Sequence, residues 1–141
     1  MEETDREKLE RQRSDADGAV VFLLVLLCSL LLSLSASLTQ RCQLRLALAG
    51  RTEEAAAVPS VLPVRRWASV LAVGSLGFFL CLALRTLEEA EEGGDCVAKR
   101  SARSNLWASL FVLLAAMLRY QDLDFVERCQ ASLEEEDTLP D

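Results

Sequence analysis

The sequence predicts a small all-α, multi-pass integral membrane protein with three transmembrane helices, the second and third forming a helical hairpin. Three observations predict it. Residues 18–40 run without a charged side chain, residues 67–84 and 104–118 are two further uncharged blocks, and all three alternate with charged segments at 1–17, 41–66, 85–103 and 119–141. With 51% hydrophobic and 26% charged residues in 141 positions, segregation of this kind fits one membrane-embedded unit and not an ordinary soluble core.

The first block, GAVVFLLVLLCSLLLSLSASLTQ, rises about 34 Å as a helix at about 1.5 Å per residue, enough for a hydrocarbon layer about 30 Å thick. Ser29, Ser33 and Ser37 fall at i, i+4 and i+8 on one face. Small side chains let membrane helices approach closely, whereas a serine that bonds back to its own i−4 carbonyl leaves no mark on association. The preceding segment mixes seven acidic residues with Arg6, Lys8, Arg11 and Arg13 and reads as a short solvated helix. Thr4 and Glu7 stand at the spacing of a capping box, and Glu2 with Arg6 and Glu7 with Arg11 at that of i, i+4 ion pairs. Its acidity argues against a mitochondrial presequence. It argues equally against the basic leader of a cleaved signal peptide, although Ser35 and Ser37 follow the apolar run at a plausible cleavage spacing.

After the first span, Cys42 lies between Arg41 and Arg45, a candidate for S-palmitoylation if it faces the cytosol. Pro59 and Pro63 predict a semi-rigid extended linker, which Arg65 and Arg66 close. The second block, WASVLAVGSLGFFLCLAL, rises about 27 Å and suits a thin bilayer, with Trp67 and Arg85 as interfacial anchors. Gly74, Gly77 and Cys81 share a face at i, i+3 and i+7, and Ala68 with Ala72 form a second small pair. The glycine face is the expected helix-contact surface. Trp67-Ala68-Ser69-Val70 resembles Trp107-Ala108-Ser109-Leu110, a match that two helices entering the same interface account for without an internal repeat.

Residues 85–103 read as a polar extension of the second helix, stopped at Gly93 and Gly94. So short a connector makes the next helix antiparallel to the second. The third block, SNLWASLFVLLAAML, rises only about 22 Å. Apart from Ser109 it is apolar all round, which suits burial in lipid over an interfacial position, with Trp107, Arg119 and the Tyr120 hydroxyl reaching the headgroups. A two-span arrangement is the alternative. In the acidic tail Leu123, Val126, Cys129 and Leu133 lie close to one helical face, which predicts a short amphipathic helix. It docks on a partner, lies against the protein's own loops or, by default, extends the third span with a frayed end. Ser14, after Arg11 and Arg13, and Ser132, before Glu134 and Glu135, are candidate phosphorylation sites.

A net charge of −7 argues against nucleic acid as a partner. The sequence has no histidine, and Cys28, Cys42, Cys81, Cys96 and Cys129 are too scattered for a metal site. Free thiols are expected of them, as in a chain facing a reducing compartment. No cofactor motif is present and no ionisable residue falls at membrane depth, so neither catalysis nor proton transport is expected. Elimination leaves a non-catalytic adaptor, assembly or trafficking factor. Its partners are the lipid bilayer and another membrane protein or a copy of itself. A pore-forming or channel-accessory subunit, with the Ser29 face turned to water, is the alternative. The short spans favour an endomembrane, of the endoplasmic reticulum or Golgi, over the plasma membrane. Lys and Arg are shared almost evenly between the two sides, so the positive-inside rule assigns no orientation.

Overall fold

In lipid an apolar run must satisfy its backbone within itself, which a helix does. The computed structural model describes residues 2–137, and side chains over 4–132. Its elements are α1 (Glu2–Leu48), α2 (Thr52–Ala57), α3 (Leu62–Gly93) and α4 (Cys96–Asp137). Three of them, α1, α3 and α4, are long and apolar enough to cross a membrane. The protein is therefore an all-α, multi-pass membrane protein. α3 is central: α1 packs against it on one side and α4 on the other, and among the described residues α1 and α4 do not meet. Successive long helices run antiparallel, which places the N-terminal extension and the α3–α4 turn at one end, and α2 with the α4 extension at the other.

Each charged segment is continuous with a neighbouring helix more often than the sequence suggests. α1 begins at Glu2, so Thr4 lies inside the first turn and the Thr4–Glu7 capping box does not form. Glu2 of the expected Glu2–Arg6 pair lies outside the described side chains. Among the described side chains the ion pairs here are Arg6 with Glu10 at 3.3 Å and Arg13 with Asp17 at 3.9 Å, in place of Glu7 with Arg11. Both are exposed and contribute a few tenths of a kcal/mol at most. The linker at Pro59 and Pro63 is shorter than expected. Thr52–Ala57 is already helical, and Pro63 falls in the first turn of α3, where its missing N–H costs no intrahelical bond. The predicted stop at the second turn is seen as expected. α3 ends at Gly93, and Gly94 takes φ 75°, the left-handed conformation a side chain resists.

The packing follows a 3.5-residue period. The less exposed positions of α1 include Asp15, Gly18, Phe22, Val25, Ser29, Leu32, Ala36, Thr39, Gln43 and Leu46, at alternating steps of three and four. Those of α4 include Lys99, Ala102, Leu106, Ser109, Leu113, Ala116, Tyr120, Leu123 and Glu127, with the same alternation. A repeat shorter than the 3.6 residues of a straight helix keeps a seam in register through left-handed crossing. The most buried positions are small: Ser29 and Ala36 on α1, Ala68, Ser75 and Ala83 on α3, and Ala102 on α4. Small side chains bring backbones together where no hydrophobic force drives helices apart from lipid. At the other extreme of size, Phe22 and Phe78 stack at 4.1 Å between α1 and α3. Gly18 makes room for that ring, because a Cβ there would stand 2.9 Å from the Phe78 Cζ.

Candidate functional site

Both ends of the α3 span carry arginines, and each is held by a neighbouring helix. Arg85 Nη1 donates to Asp15 Oδ1 at 3.0 Å, clasping α3 to α1 where both leave the membrane. At the opposite end Arg65 donates to Gln40 of α1 and Arg66 Nη1 to Glu127 Oε2 of α4 at 3.2 Å. Contact with the Tyr120 hydroxyl first, and the Glu127 and Asp124 charges after it, hold the Arg66 pKa above the ordinary arginine value. Arg66 is thus a fixed cation in a small notch with Leu62, Tyr120, Leu123, Asp124 and Glu127. From Arg66 to Arg85 α3 rises about 28 Å, and no charged side chain lies between them.

Ser29, Ser33 and Ser37 of α1 divide. Ser29 is 3% exposed, and its hydroxyl donates to the Ala68 carbonyl of α3 at 2.7 Å. Ser33 and Ser37 are exposed and bond back at 3.0 Å to the carbonyls of Ser29 and Ser33. They lie along the length of α1 that α3 covers, between Ser29 bonded to Ala68 and Gln40 bonded to Arg65, but on its exposed flank. Back-bonding satisfies these hydroxyls within α1 itself.

The small residues of α3 divide as well, and not as the sequence suggests. Ala68 carries the contact with α1, whereas Gly74 and Cys81 are exposed and Gly77 is half-buried. A Cβ built on Gly74 or Gly77 would meet nothing within 4 Å. Within this chain the glycine face packs against no helix. It is an open strip down the middle of the bilayer, on the side of α3 away from α1 and α4.

Of the anchors, Trp67 and Trp107 are exposed to the surroundings at 66% and 54%, and Arg119 is exposed. Tyr120 is turned to Arg66 of α3 and lines its notch, so it serves the helix contact in addition to the interface. The two Trp-Ala-Ser segments are not equivalent, since Ala68 is buried and Ala108 exposed. All five cysteines are free and exposed, Cys42 among them. Ser14 and Ser132 are exposed, and Ser132 Oγ donates to the Arg128 carbonyl at 3.0 Å. In the tail Leu123 faces α3 while Val126 and Cys129 are exposed; Leu133 lies outside the described side chains. Among the described residues no group of His, Cys, Asp or Glu stands close enough to hold a metal ion.

Sequence reasoning missed the clasps and the Gly18–Phe78 fit. Their one visible signal is register. Asp15, Gly18, Phe22, Ser29 and Ala36 sit on one 3.5-residue series through this helix. Comparison with protein-family models, with curated proteins and with solved structures finds no match to this chain.

Proposed function

We propose that the protein is a non-catalytic membrane adaptor, assembly or trafficking factor that receives a helix of another membrane protein on the open glycine face of α3. One observation carries the reading. The fold uses Ala68, Ser75 and Ala83 for its own packing and leaves Gly74, Gly77 and Cys81 uncovered at membrane depth. Glycines in a helix interior cost backbone entropy, and a face of them invites close approach by a second helix. The acidic extension of α4, tied to α3 through Arg66 and Glu127, stands beside the same helix and offers a water-exposed second contact. A serine-lined pore is less well supported, because the Ser29 hydroxyl is engaged with the Ala68 carbonyl and is not free to face water.

The test is capture in a mild detergent of partners cross-linked in the membrane. Gly74→Leu with Gly77→Leu should lose a discrete membrane partner that the parent chain retains. An unchanged partner set, or ion conductance from the purified chain in liposomes, counts against the proposal. The rise of about 28 Å between clasps matches a bilayer of endoplasmic-reticulum thickness, about 27 Å, better than a plasma membrane of about 32 Å. That match supports the proposal of an endomembrane. A tagged copy found mainly at the cell surface would contradict that placement.

A further inference from the structure

The Asp15–Arg85 clasp marks the edge of the membrane on the side of the α3–α4 turn. Counted equally from that turn, Ser104 of α4 stands at the level of Arg85. Arg100 lies about 6 Å further out and Trp107 about 4.5 Å further in at about 1.5 Å per residue, which are headgroup and glycerol depths. From Cys96 to Gln121 α4 carries no carboxylate, while Lys99, Arg100 and Arg103 fall within its first turns. Glu88–Glu92 of α3 stand across the turn, yet the ion pairs among the described residues include none to these three cations. Arg100, Ser101, Ser104 and Asn105 line one shallow open groove. Arg100, Ser104, Trp107 and Phe111 follow at i, i+4, i+7 and i+11, all exposed, with the Trp107 and Phe111 rings stacked at 5.9 Å. Charge, hydroxyl and amide donors, indole and phenyl therefore follow one another from water into the bilayer.

That order matches the order of groups along a phospholipid with an anionic head. We infer that this face of α4 binds an anionic phospholipid. Arg100 and Arg103 take the headgroup charge, Ser104 and Asn105 donate to its phosphate oxygens, and Trp107 and Phe111 lie along the glycerol and upper acyl chain. The two cations that precede Trp67 in sequence are by contrast occupied, since Arg65 and Arg66 are engaged by Gln40 and Glu127. The inference rests on membrane residence alone and is independent of the adaptor reading.

The two tryptophans make a paired test in the full chain. With Trp67→Phe, Trp107 becomes the sole reporter; with Trp107→Phe, Trp67 does. Each variant is reconstituted in phosphatidylcholine vesicles and titrated with phosphatidylserine or phosphatidylcholine brominated in the acyl chain. Quenching of Trp107 should favour the anionic lipid roughly fivefold, whereas Trp67 should show no preference. Arg100→Gln with Arg103→Gln should bring the Trp107 ratio to about one, and Arg100→Lys with Arg103→Lys should keep it. Equal quenching of Trp107 by the two lipids overturns the inference, as does an equal preference at both tryptophans. So does a Trp107 preference that survives the double glutamine change. If that double change fails to fold, the comparison of the two tryptophans decides alone.

Discussion

The two small-residue faces of α3 are chemically alike and structurally opposite. Ala68, Ser75 and Ala83 lie at the closest approach of the three long helices, each 2% exposed or less, while Gly74, Gly77 and Cys81 look outward with nothing near the glycines. Size alone therefore does not choose a contact face in lipid. What distinguishes the buried face is what stands opposite: Ser29 with a hydroxyl for the Ala68 carbonyl, Phe22 for Phe78, and Asp15 for Arg85. These complementary partners recur along one 3.5-residue line, and the glycine face has no equivalent on this chain.

Enlarging the buried face should do the most damage. Ala68→Leu places a branched side chain where α1 and α3 are closest and pushes Ser29 away from its acceptor. Overpacking of a close-packed site costs about 1–3 kcal/mol, and the lost bond adds to it. The unfolding midpoint of the purified protein in mixed micelles should fall accordingly. A midpoint equal to that of the parent would mean that the two backbones do not meet at Ala68.

The Ser29→Ala exchange separates the hydroxyl from the packing. Ala68 keeps its own helical bond at the same carbonyl, so the exchange leaves no orphaned acceptor. The volume change is small. Hydrogen bonds between membrane helices average about 0.6 kcal/mol, and a loss of that order is expected in the same assay. Ser33→Ala and Ser37→Ala remove bonds local to α1 and should cost less. A large loss at Ser33 and none at Ser29 would reverse the assignment of the serine face.

How much of this was legible beforehand follows from the same physics. The uncharged blocks announced the three spans, and Gly93-Gly94 announced the turn, because both are local properties of the chain. Which faces pack was not legible from amphipathicity, since lipid is as apolar as the seam and Leu23 or Leu30 on the lipid side looks no different from Leu32 between helices. The glycine pair drew attention by composition, but the chain's own seam was written in spacing: small or polar residues every three and four positions. The clasps were hidden because Asp15 and Arg85, or Arg66 and Glu127, are far apart in sequence and each resembles an ordinary charge at a membrane edge.

The glycine face offers the smallest expected effect on the fold and the sharpest on function. Gly74→Leu adds a side chain into open space, so it should create no clash with α1 or α4. Replacing glycine within a helix also removes an intrinsic penalty of about 1 kcal/mol in water, so the midpoint should stay level or rise slightly. If the same variant loses its cross-linked membrane partner, stability and binding have been separated on one helix, and the loss cannot be attributed to misfolding. A fall in stability comparable with that of Ala68→Leu would show instead that the face is filled in the folded protein, most simply by a second copy, and the partner would then have to be sought on the α4 extension.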